Sequence, residues 1–118
     1  MCVERRDRMD SLEKRLETLE YYQTLLLQMI EPDRLPFYRL VMERGLTKEE
    51  IEDIYTLCNE LSTLHEEQIA QGLVIYTNLL TQFVGQLNAK LEMAETVQAL
   101  LKQGLYRPLM KDFMALIN

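Results

Sequence analysis

The side chains able to do chemistry in this chain begin with one histidine. His65 is followed by Glu66, which is how a zinc-protease motif begins, but the chain has no second histidine to complete that motif. A lone histidine cannot build a multi-histidine metal site. We therefore predict that His65 lies on a helix face near the edge of the core.

The carboxylates and cysteines likewise form no site that the sequence supports. Acidic pairs occur at 49–50, 52–53 and 66–67, without the Glu-x-x-His spacing of di-metal bundle sites. Cys2 and Cys58 make neither a disulfide framework nor a metal site, and no phosphate-binding or nucleophile motif occurs. The sequence predicts no catalytic residue, no cofactor and no metal.

One polar group of a different kind follows a helical spacing. Asn78, Gln82 and Gln86 are four residues apart within residues 68–89, a stretch without any charge. Such amides need hydrogen-bond partners where they are buried. Three interpretations are open: bonds across a subunit interface, bonds within the chain, or a pocket for a small polar ligand.

The elements that must position these residues are helices. Gly45, Gly72 and Gly104 each precede a leucine and follow an amphipathic stretch, which is typical of a helix C-terminus. The predicted helices cover about 4–30, 35–44, 47–72, 74–90, 94–103 and 106–117. Asp33 is expected to cap the second helix, and a Thr47–Glu50 capping box begins the third.

The fold class is therefore an all-α bundle of five or six helices. No segment alternates with the period of a strand. A helix without a charged face has little reason to face water. The uncharged helix is accordingly predicted to be the buried centre of the fold or of an oligomer, and the cost of Gly85 within it is attributed to the close approach of another backbone.

The N-terminal helix carries a heptad pattern. The a and d positions, called here the α1 seam, are Met9, Leu12, Leu16, Leu19, Gln23, Leu26 and Ile30. Arg8 and Arg15 fall at g, and Glu13 and Glu20 at e, so parallel pairing joins opposite charges and antiparallel pairing joins like charges. The pattern favours parallel self-association; the alternative is that this helix packs on its own chain.

Composition limits the classes of partner. The 118 residues carry a net charge of −6 with a pI near 4.8, which argues against binding to nucleic acid or to anionic membranes. No signal peptide or membrane span is evident, so the expected compartment is the cytoplasm. We expect one domain over residues 1–118, with 1–8 frayed and 9–30 forming the self-association helix.

Several short words of the sequence occur together in a known family. They are Leu19-Glu20-Tyr21-Tyr22, Leu35-Pro36-Phe37-Tyr38, the run from Glu43 to Glu50, Cys58-Asn59-Glu60-Leu61, Gly85-Gln86-Leu87-Asn88 with Lys90-Leu91, and Gln103-Gly104-Leu105-Tyr106. In this order, from about residue 12 to 113, the chain resembles the YhaI-like family of small uncharacterised bacterial proteins. The resemblance implies an all-helical, oligomeric protein of bacilli-type bacteria, and it implies no activity or site residue.

These observations predict a cytoplasmic, homo-oligomeric helical protein with an interaction or regulatory role and no catalytic activity. The alternative is a small-ligand-binding helical protein that uses Asn78, Gln82 and Gln86. An enzyme is the least favoured class, because no base lies beside a nucleophile in any motif.

Overall fold

A computed structural model describes the backbone of residues 2–31 and 33–118 and the side chains of residues 8–31 and 33–118. Within these residues the chain forms helices and no strand, as predicted. The helices are α1 (Cys2–Met29), α2 (Pro36–Glu43), α3 (Lys48–Ala70), α4 (Thr77–Gln86), α5 (Met93–Gln103) and α6 (Arg107–Ile117). The backbone of residues 2–8 belongs to α1, the side chains of residues 1–7 lie outside the described ones, and fraying of residues 1–8 stays a prediction.

Contacts within the chain separate two compact units, residues 1–31 and residues 32–118. The first unit consists of α1, in which no described side chain is buried and only Leu27 is half-buried. The second unit contains the remaining helices and the hydrophobic core. A single domain over residues 1–118 stays a prediction.

The core of the second unit forms where α5 packs against both α2 and α6, and where α3 packs against α4 and α6. Its largest fully buried side chains are three phenylalanines: Phe37 from α2, Phe83 from α4 and Phe113 from α6. The rings of Phe83 and Phe113 have centroids 5.5 Å apart in a tilted arrangement. Such aromatic pairs stabilise a core beyond the area they bury.

Helix ends in this unit follow the predicted signals. Gly45, Gly72 and Gly104 all have positive φ, and the leucine after each donates its N–H to the carbonyl five residues back. This is the Schellman motif, in which glycine avoids the penalty of a side chain in the left-handed region. The Thr47–Glu50 capping box is present in both directions at the start of α3.

The start of α2 differs from the prediction. Leu35, not Asp33, is its N-cap. The backbone of Leu35 has a φ of 52°, and its apolar side chain makes no capping hydrogen bond. The carboxamide oxygen of Gln103 instead accepts hydrogen bonds from the backbone N–H groups of Phe37 and Tyr38, at 2.8 and 3.1 Å. A side chain 65 residues or more away in sequence thus satisfies the free donors of this helix.

The uncharged helix α4 is shorter than predicted and is buried on one face only. Leu79 and Phe83 are fully buried, whereas Asn78, Gln82, Gly85 and Gln86 are exposed. Burial all round within one chain is therefore wrong, because water hydrates neutral amides well enough for a face without charge to lie at the surface. No other backbone explains Gly85 either, since a Cβ built there has nothing within 4 Å.

Candidate self-association surface

The α1 seam lies along one helix because its members alternate spacings of three and four residues. Met9, Leu12, Leu16, Leu19 and Leu26 expose between 55 and 61% of their surface. Gln23 and Ile30 are exposed as well. Six of the seven predicted residues thus form one exposed row on α1, interrupted by the amide of Gln23, and Ile30 follows directly after the end of the helix.

The sides of the α1 seam carry the charges that the heptad assignment requires. Arg8, Glu13, Arg15 and Glu20 are exposed, and the ion pairs found among the described residues all lie in the second unit. The hydroxyls of Thr18 and Thr24, by contrast, donate to helix carbonyls four residues earlier. The exposed charges of α1 are therefore available to a partner.

The predicted amide stripe lies on the outer side of α4. The side chains of Asn78, Gln82 and Gln86 are exposed, and none of the hydrogen bonds found among the described residues uses their amide groups. A cavity of about 220 Å³ between α2 and α5 is lined by other residues, among them Arg39, Glu43 and Lys102. The stripe is thus a surface feature of the chain.

His65 occupies the core edge, as its position on α3 predicted. It is 2% exposed, and its Nε2 is joined to Oδ2 of Asp112 on α6 by a 2.6 Å hydrogen bond. The imidazole also meets the ring of Tyr76 edge-on, with centroids 4.6 Å apart. The hydroxyl of Tyr76 donates to the carbonyl of Leu73. This arrangement ties α3, α6 and the segment before α4 together.

A second polar cluster fixes the far end of α4. Glu50 accepts hydrogen bonds from Asn88 Nδ2 at 2.6 Å and from Lys90 Nζ at 2.8 Å. It also accepts the Thr47 N–H of the capping box. The bond from Lys90, followed by those from Thr47 and Asn88, lowers the pKa of the Glu50 carboxyl to about 2. One carboxylate thereby holds the loop after α4 against the start of α3.

The other chemistry-bearing groups are arranged for structure. Cys58 is fully buried, and burial raises the pKa of its thiol to about 12, so it packs as a small hydrophobe. No cluster of three or more His, Cys, Asp or Glu side chains with the geometry of a metal site exists in the part of the chain that the structure describes. Within the same part, no helix has the length and apolarity needed to span a membrane.

Comparison with known families places the chain in one of them. A family model for proteins of unknown function, DUF1878, matches residues 9–118. The chain belongs to the DUF1878 family. The match begins at Met9, the first residue of the α1 seam, so the family region contains both the seam and the whole helical unit that follows it.

In this DUF1878 protein, several structural side chains escaped the sequence analysis. Asp112 was not recognised as the partner of His65, because the two are 47 residues apart and nothing local joins them. Glu92 caps α5 through the N–H groups of Ala94 and Glu95. Only this cap had a local signal, since a carboxylate at the N-terminus of a helix is stabilised by the helix dipole.

Proposed function

We propose that this protein is a homo-oligomeric helical interaction protein without catalytic activity, and that its copies join through the α1 seam. Its setting in this proposal is the cytoplasm of bacilli-type bacteria, as a YhaI-like member of the DUF1878 family. The assembled form is the species that meets other partners. In this proposal the protein acts by binding its partners and catalyses no reaction.

The exposed seam on α1 carries the proposal. The first unit contains the single helix α1, none of whose described side chains is buried, and helices in proteins depend mainly on packing an apolar face. Burying that face is worth about 25 cal/mol for each Å² of apolar surface removed from water. A second α1 offers the same row at the same spacing, which is the requirement of a coiled coil.

Charge sets the direction of the pair. In a parallel arrangement each g side chain meets the e side chain of the next heptad on the other helix, which gives Arg8 with Glu13 and Arg15 with Glu20. Both contacts are attractive. An antiparallel pair brings arginine to arginine and glutamate to glutamate. Gln23, the one amide of the seam, adds a preference for register, because an a-position amide is best satisfied by its own counterpart.

The state of His65 supports a role without catalysis. A general base must reach the proton it removes, but His65 is 2% exposed and is held between Asp112 and Tyr76. Cys58 is similarly inaccessible, with its thiol pKa raised to about 12 by burial. Thiolate, not thiol, is the reactive form of cysteine, so this side chain is suited to packing.

The test is the molar mass of the intact chain in solution, by light scattering behind a sizing column at several loading concentrations. We expect a whole-number multiple of the 14.0 kDa chain. Leu16→Ala with Leu19→Ala should raise the dissociation constant sharply, since truncating packed leucines costs several kcal/mol. Glu13→Ala with Arg15→Ala should change it little, because exposed ion pairs contribute about 0.2–1 kcal/mol each.

Tyr21→Ala is the matched control, since it removes an exposed large side chain of α1 at an f position, outside the seam. Its dissociation constant should equal that of the unmodified chain. Similar dissociation constants for the Leu16/Leu19 and Glu13/Arg15 variants would place the interface elsewhere. A mass of 14.0 kDa at every concentration would reject self-association altogether.

A further inference from the structure

The outer face of α4, formed by Asn78, Thr81, Gln82, Gly85 and Gln86, is exposed and bears no charge. We propose that this face binds the same face of a second copy, in a two-fold interface separate from the α1 seam. The proposal rests on charge, on hydrogen-bonding chemistry and on the space above the helix. It does not depend on whether α1 self-associates.

Charge identifies the occupant as a second copy. A two-fold interface brings a surface patch against itself, so any net charge on the patch meets the same charge. Residues 33–118 contain eight basic and twelve acidic side chains. α3 alone carries seven carboxylates against one lysine, whereas α4 is the single uncharged helix of the six that the structure describes. Of these helices, α4 is thus the one that brings no charged side chain against its own copy.

The amide side chains fit the same occupant. A carboxamide carries both donors and an acceptor, so two carboxamides related by a two-fold axis can donate to and accept from each other. A carboxylate or an ammonium group lacks this property. Asn78, Gln82 and Gln86 use their amides in none of the hydrogen bonds found among the described residues. These amides are free to pair between copies.

The space above α4 permits close approach. Gly85 lies within the helix, where glycine is a poor helix former, and a Cβ at this position would have nothing within 4 Å. No packing within the chain therefore requires glycine there. Val74 and Ile75, just before the helix, expose 82 and 70% of their surface. A second copy in contact with Gly85 would cover these apolar side chains. Its close approach would also explain why position 85 is a glycine.

The test compares two isosteric changes of equal charge. Gln82→Glu places a carboxylate on the outer face of α4, and Gln98→Glu places one on the exposed side of α5. Like charges brought together at an interface weaken it, so Gln82→Glu should raise the dissociation constant of the α4 contact at least about tenfold. At equal loading, the molar mass of the Gln82→Glu variant should be lower than that of the unmodified chain by a whole-number factor. Gln98→Glu should leave the mass unchanged.

A mixing experiment adds a gain of function. Gln82→Lys alone should dissociate as Gln82→Glu does, and an equimolar mixture of the two variants should recover the larger mass by pairing opposite charges. Circular dichroism should be the same for all of these variants, because Gln82 is exposed. Equal masses for Gln82→Glu, Gln98→Glu and the unmodified chain would overturn the proposal.

The α1 seam is separated from this interface by the Leu16→Ala, Leu19→Ala variant. If that variant retains an assembly that Gln82→Glu then abolishes, the α4 interface exists in its own right. If it is already a monomer while Gln82→Glu remains fully assembled, the seam holds and the α4 proposal is overturned. If the unmodified chain is a monomer, both are overturned.

Discussion

Residues 33–118 and α1 contain similar apolar side chains at similar helical spacing, yet they are used differently. The helices of the second unit bury three phenylalanines completely. Along α1, none of the described side chains is buried, although leucine recurs through the α1 seam. The difference lies in what each apolar row meets: a neighbouring helix of its own unit in one case, and solvent in the other.

This comparison shows that an apolar stripe predicts packing without naming the partner. Burial of apolar surface is non-directional, so the stripe on α6 and the seam on α1 are equivalent until the chain's connections are known. Short loops and three Schellman ends bring α2, α3 and α5 to their neighbours. The α1 seam lacks a described neighbour of this kind within its own unit, and a second copy is our proposed one.

The largest expected effect comes from the core. Phe113→Ala should destabilise the chain by about 3–5 kcal/mol, because it removes a fully buried ring and leaves a cavity. Denaturant unfolding followed by circular dichroism measures this loss, which should be the same at every protein concentration. Leu16→Ala is the counterpart in α1.

For Leu16→Ala the loss of stability should grow as the protein is concentrated, since its partner is another chain. A loss for Leu16→Ala that is large and independent of concentration would contradict the contrast between the two regions. It would mean that Leu16 is packed by its own chain.

Features encoded by adjacent residues were predictable. The capping box at Thr47 and Glu50, the turn at Gly104 and the sixth helix itself need only a few neighbouring residues, and all were confirmed. Contacts between distant residues were not predictable. Gln103 caps α2 across 65 residues or more. Many other amide side chains in the sequence could accept the same hydrogen bonds, so the sequence alone does not single out Gln103.

The uncharged helix shows a further limit. Absence of charge was interpreted as burial, but α4 buries Leu79 and Phe83 and leaves its amides in water. A neutral polar face is compatible with both environments, since an amide gains hydrogen bonds from water or from protein. The leucines of the α1 seam give a sharper prediction than the amides of α4, because an apolar side chain is more stable buried than in water.

A smaller effect is expected at the polar edge of the core. Asp112→Ala removes the acceptor of a buried histidine, and hydrogen bonds that involve a charged group contribute about 1.5–3 kcal/mol. Asp53→Ala, at an exposed position of α3, should be nearly neutral. The free energy of unfolding of both variants tests the difference, and Asp112→Asn should recover part of the loss. Equal stability of Asp112→Ala and Asp53→Ala would mean that the hydrogen bond between His65 and Asp112 does not stabilise the folded chain.

The Glu50 cluster should make the free energy of unfolding of the second unit depend on pH. Its carboxyl pKa is about 2 in the folded chain against an ordinary 4.5, so the unfolded state takes up a proton first as the pH falls. The stabilisation is therefore complete above pH 4.5 and is lost between about 4.5 and 2. Glu50→Gln should flatten the unfolding free energy across this window. Glu60→Gln, an exposed change on the same helix, should keep the slope.

The smallest expected effect is that of Glu20→Gln on the association of two α1 helices. Its sign tells whether the helices pair in parallel or antiparallel. Glu20→Gln removes an exposed charge at an e position, and Glu17→Gln removes an exposed charge at b, away from the seam. If the helices are parallel, Glu20→Gln loses attraction to Arg15 and weakens association by about 0.2–1 kcal/mol per contact. If they are antiparallel, it relieves repulsion between glutamates and strengthens association. Sedimentation at low salt, where such contacts are least screened, should show weakening for Glu20→Gln and no change for Glu17→Gln. Tighter association of Glu20→Gln would keep the seam as the interface and reverse its direction.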